Sequence, residues 1–280
     1  MQLLPGALRL DAHGPSRPSQ RLMWITPDRV FYAGLLGAPS VRTMGALTAY
    51  VAVEGAIRIR LGAGEWQTTR VAVVQPCTAH QVVAEARLIE VIQLEAETID
   101  DAAVPELLRA CGAIDAPGFA DHVHGCRRQL CERQADPDPM MRDFDRFFFG
   151  GPIAARAMDR RIEAVVDRIK ADPCAPASAE DCAASASLSF SRFLHLFKQE
   201  AGVPFRSFRT WKRARSLLHH VNREANLAHV ALDTGYPDST HFSHSIRQVY
   251  GLKPKDIFAG SRRLAVFAHA LPVSPGAGQR

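Results

Sequence analysis

The sequence predicts an α+β chain in two parts: an antiparallel β-barrel or sandwich, then an all-helical unit built on a repeated motif. Three observations predict it. Residues 22–96 form a series of short β-rich runs separated by Gly, Pro and small-residue turns. From about residue 104 apolar residues recur at helical spacing. Within the second part, the stretch 191–203 recurs at 240–252, an offset of 49.

Residues 1–20 are rich in Pro, Gly, Ser and Arg and are expected to be irregular. The strand candidates then follow in order: ALTAYVAVEG, AIRIRLGAG, EWQTTRVAVVQP, HQVVAEA and RLIEVIQLEAE. VPELLRACG, FADHVHGCRRQLCERQ and MMRDFDRFFFGG read as helices, and GGP at 150–152 as a hinge between domains 1–150 and 151–280. A helical region starts in IAARAMDRRIEAVVDRIKADP and stops at Asp172-Pro173. PFRSFRTWKRARSLLHHVN (204–222) reads as one helix of about 18 residues, roughly 27 Å. Its inner face carries Phe208, Trp211, Leu217, Leu218 and Val221, with Arg209, Lys212, Arg213 and Arg215 outside. RRLAVFAHALPV (262–273) is expected to be a tail packed on the second domain.

At 280 residues, 47% hydrophobic and 22% charged, the chain can bury two cores. No run approaches the roughly 18 apolar residues of a membrane span. The N-terminus lacks the features of a signal peptide, and the six cysteines show no disulfide framework or CxxC pair. A cytoplasmic protein with reduced thiols is the expectation. Charge is uneven: residues 151–280 hold 19 Lys/Arg against 11 Asp/Glu, net +8, while residues 1–150 hold 15 against 18, net −3. A polyanion partner for the second part alone fits that split.

The duplication is the strongest signal. Phe193 aligns with Phe242, His195 with His244, Gln199 with Gln248 and Gly202 with Gly251. Ser191/Thr240, Phe197/Ile246 and Lys198/Arg247 match in type, and upstream Ala183 falls on Ala231. Each copy reads as a short helix, a turn, then a longer helix opened by Ser189 or Asp238 as N-cap, which is a helix-turn-helix twice over. Phe242, Ile246, Val249 and Tyr250 mark the buried face of the second copy. Opposite them stand short hydrogen-bonding groups and a cation, where a solvated face would carry Glu, Lys and Gln. Such a helix enters the DNA major groove. Hydroxyls and imidazoles can meet bases or phosphates there, and Lys and Arg favour phosphates. The candidate DNA-binding residues are Ser191, Arg192, Leu194, His195 and Lys198 in the first copy, and Ser239, Thr240, Ser243, His244 and Arg247 in the second. Joined by the intervening helix, the two heads could read successive major grooves about 34 Å apart.

The run from LSFSRFLHLFKQEAGV to GYPDSTHFSHSIRQVYGLKPKDI resembles the DNA-binding domain of the AraC/XylS transcription regulators over residues 155–260. Two positions depart from the family pattern: Ser187 stands where the first turn usually has Gly, and Leu194 where a polar residue is common. The resemblance implies double-stranded DNA and RNA polymerase as partners, a homodimer, and a front domain that senses a small-molecule effector. Residues 40–95 look like a cupin-type barrel. A metal cupin needs His and carboxylate ligands at its first motif, and SVRTMGALTAYVAVEG contains no His. His80 alone is retained, as a candidate ligand-binding residue. No cofactor, metal or catalytic residue is expected. The alternatives are a metal-cupin enzyme fused to a DNA domain, or a small-molecule sensor whose DNA role is secondary.

HVHGCRRQLC (122–131) brings His122, His124, Cys126 and Cys131 close in sequence. On a helix His122 and Cys126 sit about 40° apart, whereas His124 and Cys131 point to the opposite side. One tetrahedral site cannot take all four. Phe119, Val123, Cys126 and Leu130 instead form an apolar stripe, which places Cys126 in a core or dimer interface.

Overall fold

The computed structural model describes residues 21–37, 39–86, 88–132, 143–220, 230–231, 235–261 and 264–268. The front half contains β1 (Leu22–Ile25), β2 (Arg29–Leu35), β3 (Ala46–Ala52), β4 (Ile57–Leu61), β5 (Gln67–Thr69), β6 (Val71–Val74), β7 (His80–Ala84) and β8 (Leu88–Glu95). A 3-10 turn (Ala96–Thr98), α1 (Glu106–Arg109), β9 (Gly112–Ile114), α2 (Pro117–Glu132) and α3 (Phe144–Phe149) follow. The back half contains α4 (Arg160–Ala171), α5 (Ala179–Ser185), α6 (Phe190–Ala201), α7 (Phe205–Ser216) and a 3-10 turn (Leu217–His220). Then come α8 (Ser239–Tyr250), α9 (Pro254–Ser261) and a last strand, β10 (Ala265–Ala268).

The strands form a seven-stranded sheet in the order β10-β1-β2-β8-β3-β6-β9 and a three-stranded sheet in the order β5-β4-β7. Pairing is antiparallel except between β1 and β10. The sheets face each other as an open, cupin-like barrel, bridged at Arg42 and His80 without closing into one ladder. Strand β3 is buried at every position, because three layers meet on it. Leu47, Ala49 and Val51 share a core with Trp24, Phe31 and the inner residues of α2 and α3. Tyr50 and Ala52, on the other face by the two-residue pleat, share one with Ile57, Ile59 and Val82 of the smaller sheet. At the start of the strand, Ala46 joins Met23, Ile25 and Val30 in a core completed by Trp211, Leu217, Phe242 and Ile246. The sheet and the second recognition helix therefore share one apolar core.

Four expectations change. The helix expected from residue 153 begins at Arg160, where the Asp159 carboxylate accepts the Arg161 N–H. The helix read over 204–222 is α-helical only over Phe205–Ser216, about 18 Å. A 3-10 turn follows it, and Val221 lies outside the described residues. Lys212 and Arg215, expected outside, are each 5% exposed, because the acidic end of β8 lies against α7. Residues 265–268, expected to pack on the second domain, form a strand on the β1 edge of the front sheet. That edge would otherwise leave a row of backbone groups unpaired.

Candidate nucleic-acid interface

In the first head, Ser178 caps α5 by accepting the Asp181 N–H at 2.9 Å, and Cys182 and Ala183 are buried against α6. Ser187 occupies the turn at φ +54°, the left-handed conformation for which glycine is the usual choice. Ser189 then caps α6 through the Arg192 N–H at 3.4 Å. Phe193, Leu196 and Phe197 point inward, with Phe197 edge-on to Phe205 and Phe208. Ser191, Arg192, His195 and Lys198 are exposed, and Leu194 is half-buried.

The second head repeats this geometry. The Asp238 carboxylate accepts the Thr240 and His241 N–H groups, both at 2.8 Å, and these bonds hold its pKa below the usual carboxylate range. Phe242, Ile246, Val249 and Tyr250 are buried, while Ser239, Thr240, Ser243, His244 and Arg247 are exposed. Both recognition helices end on a left-handed glycine, Gly202 at φ +75° and Gly251 at +72°. Of the short helix expected before α8, Val230 and Ala231 are helical and buried, and the rest lies outside the described residues. The structure thus presents two capped helices, each with its stripe turned outward. Phe190, 47% exposed at the start of α6, is an addition that the apolar periodicity had concealed.

Between the heads, α7 is held by the sheet. Glu95 accepts the Trp211 Nε1–H at 2.6 Å, Lys212 Nζ at 2.7 Å and Arg215 Nε at 2.9 Å. Glu97 accepts Lys212 Nζ at 2.5 Å, and Arg215 also donates to the carbonyls of Thr26 and Arg29. Burial pushes Glu95 up, but Lys212 and Arg215 more than offset it and hold its carboxyl low. Burial and the charge of Glu95 instead raise Glu97. Trp211, a stacking candidate by type, is committed to this core.

His80 is buried between the sheets, with Nε2 2.7 Å from the Tyr50 hydroxyl and Nδ1 2.8 Å from the Thr78 carbonyl. Burial pulls its pKa down to about 4. In α2, Cys126 donates to the Phe147 carbonyl and His122 lies 3.2 Å from the same oxygen. His124 turns instead to the buried Glu90 carboxylate at 2.6 Å. Val123, Cys126 and Leu130 are buried in the α2–α3 core, and burial raises the Cys126 thiol to about 11. Among the described residues, no three His, Cys, Asp or Glu side chains are placed to share a metal ion.

An apolar cavity of about 660 Å³ lies where the sheets meet the second head. Tyr32, Met44 and Val91 line it from the front half, and Tyr250, Leu252 and Ile257 from the second head. Among the described residues its lining cation is Arg42, 3% exposed: the guanidinium bonds with the Tyr50 hydroxyl, while Nε and Nη2 have no acceptor there. Arg42 belongs to no helical stripe or motif, so reading by pattern missed it.

Residues 182–260 match the model of a helix-turn-helix domain family. The C-terminal part of this chain is an AraC-type helix-turn-helix domain. The invasion protein InvF of Salmonella typhimurium is 31% identical over 71 residues, which cover 25% of this chain and 33% of InvF. The chain thus spans about a third of that relative's length. Two crystal structures of ToxT share the overall fold. Apo ToxT K231A from Vibrio cholerae strain SCE256 aligns with TM-score 0.53 at 9% identity, over 83% of this chain and 97% of ToxT. ToxT from Vibrio cholerae O395 bound to (E)-4-(8-methylnaphthalen-1-yl)but-3-enoic acid aligns with TM-score 0.51 at 7% identity, over 83% and 98%. The AraC-type domain therefore follows a cupin-like sheet in this chain, as the resemblance implied. No described helix is long and apolar enough to cross a membrane.

Proposed function

We propose that the chain is a cytoplasmic, homodimeric transcription regulator that binds double-stranded DNA through both heads and answers to an apolar carboxylic acid. The duplicated outward stripe carries the DNA reading: two capped helices with hydroxyl, imidazole and cation in matching register. Thr240, Ser243, His244, Ser191 and His195 meet base edges, Lys198 and Arg247 meet phosphates, and Phe190 and Leu194 supply apolar contact to a thymine methyl. Contact with RNA polymerase belongs to this role, and no catalytic step does.

The cavity supports the effector reading. Its volume falls within the range of small-molecule sites. Buried guanidinium donors without an acceptor, as Arg42 Nε and Nη2 are among the described residues, are costly, and the fork matches a carboxylate. Exposed Asp256 at the rim disfavours a second negative charge. We place the carboxylate on Arg42 rather than on His80, whose two ring nitrogens are engaged. The acid held by the ToxT structure is of the same class.

Selection of bound duplexes from a random pool by the full chain, followed by footprinting, tests the DNA reading. One protected segment spanning two major grooves is expected, with affinity falling steeply as salt rises. Salt-insensitive binding, or none, overturns it. Calorimetry with dodecanoate, 1-dodecanol and acetate tests the effector. Dodecanoate should bind at least about tenfold tighter than the alcohol, and Arg42→Gln should remove that preference.

A further inference from the structure

A basic cleft lies outside both recognition helices. On α4 the 100° step of a helix puts Arg161, Ala164 and Arg168 on one stripe, with Arg160 at its edge. Together with Val165 and with Ser185, the last residue of α5, they line an open cleft of about 370 Å³. Three guanidinium groups line it, and among the described residues no carboxylate does. Glu163 and Asp167 stand exposed on the other flank of the helix. The cations are unequally committed. Arg161 is held by Asp159, through Nε at 3.0 Å and Nη2 at 2.7 Å. Arg168 gives one N–H to the Cys182 sulfur at 3.0 Å, a weak acceptor. Ser185 spends its hydroxyl on the Cys182 carbonyl at 2.9 Å. Arg160 has no hydrogen bond or ion pair among the described residues. The cleft sits beside the end of α6 whose stripe faces outward. Ser185 stands four residues before Ser189, the α6 cap, and the Asp159 N–H donates to Glu200 of α6 at 2.8 Å. Hydrogen bonds from Arg161 and, more weakly, the charge of Arg192 on the outward stripe hold the Asp159 carboxyl low.

We propose that this cleft seats a backbone phosphate of the DNA strand bordering the groove that α6 enters, with Arg160 and Arg168 as its donors. This rests on the reading of the chain as a DNA-binding regulator, and it puts a contact on helices that meet no bases. A phosphate accepts a guanidinium fork through two parallel bonds. Three like charges around one opening repel one another, and an anion between them relieves that repulsion. Duplex DNA carries rows of phosphates along each groove, so a helix that enters the groove brings its flanking cations to them. The first head depends on such an anchor more than the second. Leu194 is half-buried in the register where the second head exposes Ser243, so α6 offers the bases one polar group fewer. By contrast α7, which precedes the second head as α4 precedes the first, turns its cations inward. Lys212 and Arg215 go to Glu95, Arg209 to the carbonyls of Ala175 and Ala177, and Arg213 to that of Pro173. The phosphate seat thus belongs to the first head, which it fixes in register on the duplex without reading sequence.

Titration of the full chain with the duplex selected from the random pool, across a chloride series, tests this. Arg160→Gln should weaken binding about threefold, and Arg160→Gln/Arg168→Gln about tenfold, on every sequence of a point-mutated panel alike. In both, the salt slope should become shallower by about one phosphate. Ethylation interference on the parent should mark a phosphate flanking the groove of the first head, and the variants should lose that mark alone. Arg58→Gln, which removes one cation from strand β4 of the smaller sheet, should leave slope and pattern as in the parent. Arg168→Gln also breaks the bond to Cys182, so Arg160→Gln, which breaks none, carries the test if the double variant does not fold. An unchanged slope and pattern in Arg160→Gln, an equal change in Arg58→Gln, or a loss confined to certain sequences would overturn the proposal. Saturable calorimetric binding of inorganic phosphate by the parent, lost in the double variant, would make the cleft a seat for a free anion and overturn it too. A parent chain that binds no duplex sinks the DNA reading itself, whereas parent-like binding by the variants sinks only the cleft.

Discussion

Lys212→Met should act as a buried-charge defect and leave DNA contact alone. The ammonium lies 2.7 Å from Glu95 and 2.5 Å from Glu97, and all three side chains are at most 5% exposed. Without it, Glu95 keeps Trp211 and Arg215, but Glu97 keeps no hydrogen-bond donor among the described residues. Breaking a buried pair in this way costs about 3–5 kcal/mol, a large share of the ~5–15 kcal/mol that holds a native protein. The melting temperature should fall by roughly 6–20 °C. Because burial already raises Glu97, its protonated form is the better tolerated one. The deficit should therefore shrink as pH falls from 7 towards 5, and Lys212→Met/Glu97→Gln should recover at least half of it. Urea denaturation of the parent, both single variants and the double variant gives the coupling directly. The salt slope of DNA binding should stay that of the parent. A cost below about 1 kcal/mol, the range of an exposed pair, would refute this reasoning, as would additive effects or a slope reduced by one phosphate.

Thr240→Ala and His244→Ala should relax specificity at one end of the DNA site by about 1–3 kcal/mol for a base contact, and Arg247→Ala should weaken all sequences alike with a shallower salt slope; binding to a panel of point-mutated sites separates the two. His80 is neutral in the fold, with its pKa near 4 against an ordinary 6.5. Its share of stability is complete above pH 6.5 and is lost as pH falls from 6.5 towards 4, at most roughly 3 kcal/mol. Urea midpoints of His80→Gln across that window should be flatter than the parent's. Gly45→Ala would place a Cβ 2.5 Å from the Trp211 side chain, and this overpacking should cost about 1–3 kcal/mol; circular-dichroism melts check it. Asp238→Ala removes an N-cap and should cost about 1 kcal/mol, measured the same way.

What was legible in the sequence was local. Short β-rich runs between turn residues marked the strands from 46 to 95, and the pleat sends their side chains into the two cores that sandwich them. Caps and apolar phase marked α6 and α8, since Ser189, Asp238 and the inward phenylalanines act within a few residues of one another. The partners of α7 were not legible. Its apolar stripe could be read, but Lys212 finds Glu95 at a separation of 117 residues and Arg215 finds it at 120. No helical spacing distinguishes a cation meant for water from one meant for a distant carboxylate. Arg42 escaped for the same reason, since its meaning comes from a wall that the second head supplies. The four residues of β10 were too short a run for periodicity to separate strand from helix.

That last strand has a bearing on how the protein is made. Leu22 pairs with Ala265 and Ile25 with Ala268, so the first strand described waits until residues 265–268 have been translated before its outer edge is filled. At ribosomal speed the interval is on the order of 10–50 s, long against the microseconds in which a hairpin closes. During it the β1 edge is an open template for any passing strand, including one from a sister chain on the same polysome. Truncations after residue 260 should therefore be judged by the solubility of the newborn chain as well as by its grip on DNA.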